Sequence, residues 1–309
     1  MLRASLLYLS EQPRVFKFVR GNPIARKLAS RFVAGETLET AVPAVRALNA
    51  AGITASLDLL GESVKSHQEA SAAADTAIAM LERIRTDKLD SNISVKLTQF
   101  GLDLDPARCV ANTRRILGRA KALDIFVRID MESSAYTQRT LDLVERELYP
   151  EYPDHIGVVI QSYLYRSAED IARLNALKMR VRLCKGAYKE PPAVAFPAKA
   201  DVDKSYGQLM EALLLNGRYP AIATHDEALI ERTKAFATQH GIGADRFEFQ
   251  MLYGVRRDLQ DRLVKEGYRM RVYVPFGTQW YPYLMRRLAE RPANIAFILG
   301  NVMKEGMRR

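Results

Sequence analysis

The sequence predicts an α/β fold, a distorted (β/α)8 barrel of the TIM type, and two observations lead to it. Short runs rich in β-branched and apolar residues alternate with stretches of helical periodicity along most of the 309 residues. This alternation favours parallel pairing, because a parallel neighbour needs a crossover connection and a helix supplies it. Eight such units in about 240 residues match a closed barrel, whereas an open doubly wound sheet usually stops at five or six strands.

The β-rich runs give the predicted strands in chain order: Thr54–Leu60, Asn92–Thr98, Phe126–Met131, Gly157–Leu164, Met179–Gly186, Pro220–Asp226, Phe247–Tyr253 and Arg269–Gly277. The segments between them carry a 3.6-residue apolar period, as in Ala107–Leu123. Two further helical stretches, Arg14–Arg31 and Leu38–Ala51, precede the first strand, and Gly52 ends the second. We expect residues 1–51 to form an N-terminal arm and a helix across the barrel bottom, and residues 52–309 to form the catalytic barrel.

Composition narrows the class of protein. The formal net charge is +10, but the basic residues are scattered and no recognition motif accompanies them, so no nucleic-acid partner is expected. Two cysteines cannot build a disulfide framework or a structural zinc site, which favours a cytoplasmic protein. No stretch approaches the roughly 20 apolar residues that span a bilayer.

Polar residues stand at the carboxyl ends of all eight predicted strands, where barrel enzymes carry their chemistry. They are Glu62, Lys96, Asp130, Gln161, Arg182, Lys185, Tyr188, Thr224, His225, Glu248, Gln250 and Tyr273. Each has an ordinary alternative: Lys96 and Asp130 can form an internal ion pair, and His225 can be a satisfied strand-end residue. The four histidines and scattered carboxylates do not form a metal set. Cys184 is expected to pack away from the pocket.

Two basic motifs carry more specific expectations. In RLCKGAY (182–188), Gly186 permits close backbone approach to a phosphate beside Lys185. In YLMRRLAE (283–290), two adjacent arginines can clamp a carboxylate only if their helix lies over the barrel mouth, since adjacent helical residues point about 100° apart. The alternative is a solvated helix face on which Glu290 pairs with Arg286 or Arg287.

In this order, RLCKGAY, IATHD, FEFQMLYG, RVYVPFG and YLMRRLAE resemble the proline dehydrogenases, and the resemblance extends from SLDLLGE (56–62) to ANIAFIL (293–299). The resemblance implies the fold and cofactor of that family: a distorted barrel that contains FAD and whose last helix lies over the barrel mouth. The chain is too short to include an aldehyde dehydrogenase domain, so the resemblance implies the monofunctional form.

The resemblance also implies roles for individual residues. Substrate contacts would come from a carboxylate clamp and a ring-binding wall: Arg286, Arg287, Lys96, Tyr188, Leu252 and Tyr273. Asp130, paired with Lys96, and Arg182 near flavin N5 would be the catalytic residues. Cofactor contacts would come from Met131, Gln161, Arg182, Lys185, Gly186, Ala187, Thr224, His225 and Glu290, with Glu62 joining the closed-state network.

The implied reaction is hydride transfer from C5 of L-proline to FAD, giving 1-pyrroline-5-carboxylate, with the electrons passed to a membrane quinone. A basic surface and an amphipathic N-terminal arm are compatible with peripheral membrane contact. From the residues alone, two other functions stay open: a lyase or aldolase that uses Lys96 or Lys185 as a Schiff-base amine, and a basic barrel that only binds ligands.

Overall fold

The computed structural model describes residues 29–290, apart from the side chains of Arg286, Leu288, Ala289 and Glu290. Its strands are β1 Thr54–Leu59, β2 Ser91–Val95, β3 Val127–Ile129, β4 Ile156–Gln161, β5 Arg180–Cys184, β6 Ala221–Ala223, β7 Glu248–Leu252 and β8 Met270–Phe276. Its helices are α1 Leu38–Ala50, α2 His67–Thr86, α3 Pro106–Leu123, α4 Ser134–Leu143, α5 Ser167–Ala176, α6 Lys199–Asn216, α7 Glu227–Gln239, α8 Arg257–Lys265 and α9 Trp280–Glu290. A 3-10 turn, Leu97–Phe100, follows β2, and a π-helical turn, Val144–Leu148, extends α4.

The eight strands form a closed barrel in sequence order, and every neighbouring pair is parallel. Closure comes from β1 and β8, which pair over the whole of β1, from Thr54 opposite Arg271 to Leu59 opposite Phe276. The prediction of a (β/α)8 barrel is therefore confirmed. Each predicted strand overlaps the observed one, and only β2 and β4 begin one residue earlier than predicted, at Ser91 and Ile156.

Alternation along the strands gives the barrel a polar interior. In β5, Val181 and Leu183 belong to the apolar core between strands and helices, whereas Arg182 and Cys184 line the cavity at the barrel mouth. Ser56 of β1 and Ser94 of β2 meet inside the barrel, with their hydroxyl oxygens 3.0 Å apart. The expectation that Cys184 points away from the pocket is wrong, because residue 184 shares the inward face of residue 182.

Helix α1 lies alongside the barrel, not across its bottom. The segment before it meets the carboxyl end of β8, where the Gly277 amide donates to the Gly35 carbonyl at 2.9 Å. Near its other end, Asn49 Nδ2 donates to the carbonyl of Asp90, just before β2 begins, at 3.1 Å. Between these ends the helix packs on β1 and β8. The expected position across the bottom is therefore wrong. The outer face of β1 and β8 needs an apolar cover, and α1 provides it because the helix that follows β8 lies over the barrel mouth.

That final helix, α9, lies over the barrel mouth, as predicted. Its buried residues Trp280, Tyr281 and Leu284 form a small cluster with Phe32 and with Leu60, which follows β1 at its carboxyl end. One face of α9 also borders the mouth cavity through Pro282, Tyr283 and Arg287. Residues 1–28 and 291–309, including most of the predicted N-terminal arm, lie outside the described residues.

Candidate active site

The carboxyl ends of the strands, the loop after β5 and helix α9 enclose a cavity of about 1290 Å³. This volume exceeds the range of about 300–1,000 Å³ that is usual for a pocket with one drug-sized ligand, so a cofactor and a small substrate fit together. Most of the residues predicted from the sequence line it: Glu62, Lys96, Asp130, Met131, Gln161, Arg182, Lys185, Gly186, Ala187, Tyr188, Thr224, His225, Gln250, Leu252, Tyr273 and Arg287.

Lys96 is held by Asp58, a residue that the sequence reasoning missed. Lys96 Nζ lies 3.0 Å from Asp58 Oδ1, and both side chains are almost fully buried. The predicted pairing of Lys96 with Asp130 is therefore wrong: Asp130 contributes only a nearby negative charge. Burial by itself lowers the Lys96 pKa, but the surrounding negative charges, Asp58 first and then Asp130 and Glu62, together raise this pKa above its usual value. A Schiff-base lysine needs a neutral amine, so this environment disfavours the aldolase alternative at Lys96.

Asp130 is instead the centre of a cross-barrel network. Its Oδ1 accepts from Arg182 Nη1 at 2.6 Å, and its Oδ2 accepts from the Tyr273 hydroxyl at 3.0 Å. Arg182 also donates to Gln250 Oε1 at 2.5 Å and to Ser94 Oγ at 3.0 Å. Burial, with the Asp130 charge, raises the pKa of Tyr273, so its hydroxyl stays protonated and donates. These charge-assisted hydrogen bonds, which are stronger than neutral ones, fix the Arg182 guanidinium at the floor of the cavity.

The loop after β5 packs closely against the cavity wall. Gly186 has a φ of +115°, and a Cβ there would lie 1.3 Å from two ring carbons of Tyr163, so only glycine fits. Lys185 Nζ lies 2.6 Å from Asp203 Oδ1 and 2.7 Å from Asp226 Oδ2. A phosphate role for Lys185 therefore requires it to share its three N–H groups between a ligand and these carboxylates.

Thr224 and His225, at the end of β6, are both oriented by backbone groups. Thr224 Oγ1 accepts from the Asp226 amide at 3.1 Å. His225 Nε2 accepts from the Leu252 amide at 2.9 Å, so the ring proton is on Nδ1. This bond also fixes the backbone at Leu252, whose side chain lines the cavity.

The remaining predicted residues divide into two groups. Glu248 lies at the amino end of β7, away from the cavity, where it pairs with Arg271 at 2.9 Å. Arg286 and Glu290 are on α9, but their side chains lie outside the described residues, so their roles stay predictions. Asp58 carries the missed signal: with Ser56 it places polar residues two apart in an otherwise apolar strand, the period of one strand face.

Residues 29–290 contain neither a cluster of metal ligands nor a membrane-spanning helix. No group of three or more His, Cys, Asp or Glu side chains in this part of the chain is placed to hold a metal ion. None of the helices between residues 29 and 290 combines the length and the apolar character needed to cross a membrane.

Comparison with known proteins identifies the family. The family model described as proline dehydrogenase matches residues 41–299. Proline dehydrogenase 1 of Bacillus subtilis subsp. natto is 47% identical over 305 residues, which cover 99% of this chain and 100% of that protein. The proline dehydrogenase of Deinococcus radiodurans is 44% identical over 308 residues, with 98% of each chain covered.

Among solved structures, the fold is similar to proline utilization A from Bdellovibrio bacteriovorus inactivated by N-propargylglycine. The TM-score is 0.81 at 27% identity, and the match covers 90% of this chain and 34% of that one. This chain thus spans about a third of that larger protein. Taken with the barrel and its cationic mouth cavity, these matches show that the chain belongs to the proline dehydrogenase family and is an oxidoreductase.

Proposed function

We propose that this enzyme is an FAD-dependent proline dehydrogenase that oxidises L-proline to 1-pyrroline-5-carboxylate, the first step of proline catabolism to glutamate. The observation that carries the proposal is the arrangement of Lys96, Arg182 and Arg287 around one cavity that also contains the ring-sized wall formed by Tyr188 and Tyr273. These cations suit a small carboxylic acid and an electron-accepting cofactor. Two relatives that match nearly the whole chain are named proline dehydrogenases, which supports L-proline as the substrate.

The donors and acceptors in the cavity fit a flavin nucleotide. Gln161 Nε2 donates to the Glu132 carbonyl at 2.8 Å, so its Oε1 is the amide atom that accepts from a ring N–H. Lys185, the Gly186 turn, Thr224 and the Nδ1–H of His225 provide donors for the phosphate and ribityl parts, with Met131 and Ala187 as apolar contacts. We place Arg182 beside the flavin ring because it is the fixed cation at the cavity floor.

Proline would bind through its carboxylate. Lys96, at the end of β2, and Arg287, on α9, are two cations that border the cavity. A guanidinium fork suits a carboxylate, and a compact ammonium adds a third contact. Tyr188, Leu252 and Tyr273 would enclose the pyrrolidine ring. Arg286 is proposed as the second guanidinium of the clamp.

The protein's contribution to the chemistry is position and charge. The flavin, when bound, supplies the acceptor for the hydride that leaves C5 of proline. Arg182 would supply positive charge beside the flavin ring, and a charge already fixed by hydrogen bonds needs no rearrangement during the reaction. Both oxygens of Asp130 already accept from Arg182 and Tyr273, so we assign Asp130 to positioning and not to uptake of the amine proton.

We propose a quinone in the cell membrane as the next electron acceptor, with the protein cytoplasmic and peripheral to the inner face of that membrane. The net charge of +10 supports attraction to anionic lipids. The test is sedimentation with anionic and with neutral liposomes at low salt. Recovery of the protein in the supernatant with both kinds would refute membrane contact and leave the proline reaction untouched.

The proline reaction is tested by anaerobic titration of the purified protein, followed in the visible spectrum. We expect a yellow protein whose flavin absorbance is bleached by L-proline and much less by D-proline. A colourless protein that borohydride and a carbonyl substrate label on a lysine would refute the proposal in favour of the aldolase alternative.

A further inference from the structure

A second cavity, of about 340 Å³, lies at the end of the barrel opposite to the mouth. Its described lining is four arginines and one tyrosine: Arg180, Arg218, Tyr219, Arg269 and Arg271. The volume is at the lower end of the usual range for ligand pockets, about 300–1,000 Å³, so it suits a small ligand. No part of the proposed proline reaction uses these residues.

The topology brings these arginines together. Arg180 begins β5, Arg218 lies just before β6, Arg269 immediately precedes β8, and Arg271 is the second residue of β8. The amino ends of parallel strands meet at the same end of a barrel, so these residues border one cavity there. The cavity is therefore a property of the fold and not of one flexible loop.

Positive charge in this cavity exceeds the negative charge that neutralises it. Arg271 pairs with Glu248 at 2.9 Å, and Arg218 pairs with Asp154 at 2.5 Å. Within residues 29–290, no carboxylate forms an ion pair with Arg180 or Arg269, and Arg180 Nε is buried without a hydrogen-bond partner. Burial lowers the Arg180 pKa, and the neighbouring Arg271 and Arg218 act in the same direction, whereas the nearby Glu248 charge opposes them. The guanidinium groups thus repel one another, and a bound anion would relieve that repulsion.

Aromatic rings orient the arginines whose charges are not neutralised. The Arg180 guanidinium carbon lies 4.2 Å from the Phe126 ring centroid and 4.7 Å from that of Tyr219. Arg269 lies 5.4 Å from the Tyr219 ring and donates to the Tyr219 hydroxyl at 3.2 Å. Tyr219 itself has a φ of +47°, a strained conformation for a residue with a Cβ, and such strain is concentrated at ligand sites.

We propose that this cavity binds a phosphate-type oxyanion: free phosphate or the phosphate group of a small phosphorylated compound. A phosphate offers oxygens in several directions, and planar guanidinium forks that enter from different strands can bind them in pairs. The small volume favours a compact anion over a nucleic-acid backbone. The competing interpretation is that the arginines only fill the barrel floor, since the amino face of such barrels commonly serves stability.

The test is a calorimetric titration of the holoenzyme with inorganic phosphate, with chloride buffers of matched ionic strength as reference. Arg218→Gln and Arg269→Gln change partly exposed side chains, so both variants should fold. Arg115→Gln, on the outer helix α3, removes a similarly exposed, ion-paired arginine and serves as the matched control. We expect one phosphate per chain, at least about tenfold weaker affinity in each cavity variant, and wild-type affinity in the control.

Three outcomes would overturn the proposal. Equal affinity in the wild type and both cavity variants would show that the cavity does not bind the anion. Loss of phosphate binding in Arg287→Met would place the anion at the barrel mouth. Binding to phosphatidylglycerol vesicles without binding to free phosphate or glycerol 3-phosphate would make the arginines a lipid contact. Stronger binding of glycerol 3-phosphate than of phosphate would support the proposal and identify a phosphate ester as the ligand.

Discussion

Replacing Asp58 by Asn should destabilise the protein far more than removal of an exposed carboxylate. Asp58 is fully buried and lies 3.0 Å from the equally buried Lys96. Removal of one partner from a buried pair leaves the other charge uncompensated, which costs about 3–5 kcal/mol. We expect a value near 3 kcal/mol, because Asp130 and Glu62 also attract the Lys96 ammonium.

Urea unfolding of the holoenzyme, followed by circular dichroism, measures this loss. Asp75→Asn is the matched control: its ion pair with Arg115 is exposed on both sides, and such pairs contribute about 0–1 kcal/mol. The double variant Asp58→Asn with Lys96→Met should lose less unfolding free energy than the two single variants lose together, because no buried charge is left without its partner. Additive losses, or a loss in Asp58→Asn no larger than in Asp75→Asn, would refute the reasoning.

Three further predictions test the site and its surroundings. Arg287→Met should raise the KM for proline about 10- to 100-fold through loss of a charge-assisted contact, while the flavin content per chain stays that of the wild type; unchanged proline kinetics would contradict the clamp. Burial raises the pKa of Glu132 to about 7, so its stabilising effect is present below about pH 4.5 and is lost between there and pH 7. Glu132→Gln keeps the acceptor for the Thr98 hydroxyl. It should therefore raise the unfolding free energy by about 2–3 kcal/mol at pH 8.5 and by under about 1 kcal/mol at pH 5. An equal gain at both pH values would show that ionisation of Glu132 is not the cause. Gly186→Ala should lower flavin absorbance per chain, because the new methyl group meets the Tyr163 ring, and Tyr163→Ala in the same chain should restore part of it.

The barrel was predictable because its signal is local and repeated. Alternation of strand and helix gave all eight strands, and polar residues at strand ends gave most of the cavity lining. The position of α1 was not predictable from its own residues. It depends on the position of α9. That helix is held over the mouth by apolar contacts with Phe32 and Leu60, two residues that are distant from it in sequence.

Partner choice inside the barrel was the second limit. Lys96 directly follows β2, and each neighbouring strand offers a carboxylate: Asp58 on β1 and Asp130 just after β3. Adjacency alone does not decide which of the two pairs with Lys96. Arg182 extends across the barrel from β5 and pairs with Asp130, so Lys96 pairs with Asp58. A contact between non-neighbouring strands leaves no trace in the local pattern, so only the closed structure shows it.

The polar interior of the barrel also has a consequence for how the chain selects its strand register. A shift of β5 by one residue would turn Leu183 inward and Arg182 outward, because side chains alternate along a strand. The shift would break the Arg182 bonds to Asp130, Gln250 and Ser94 at once and bury a guanidinium among apolar helices. The groups that we assign to chemistry therefore also discriminate against misaligned barrels, a task that a uniformly apolar interior performs poorly.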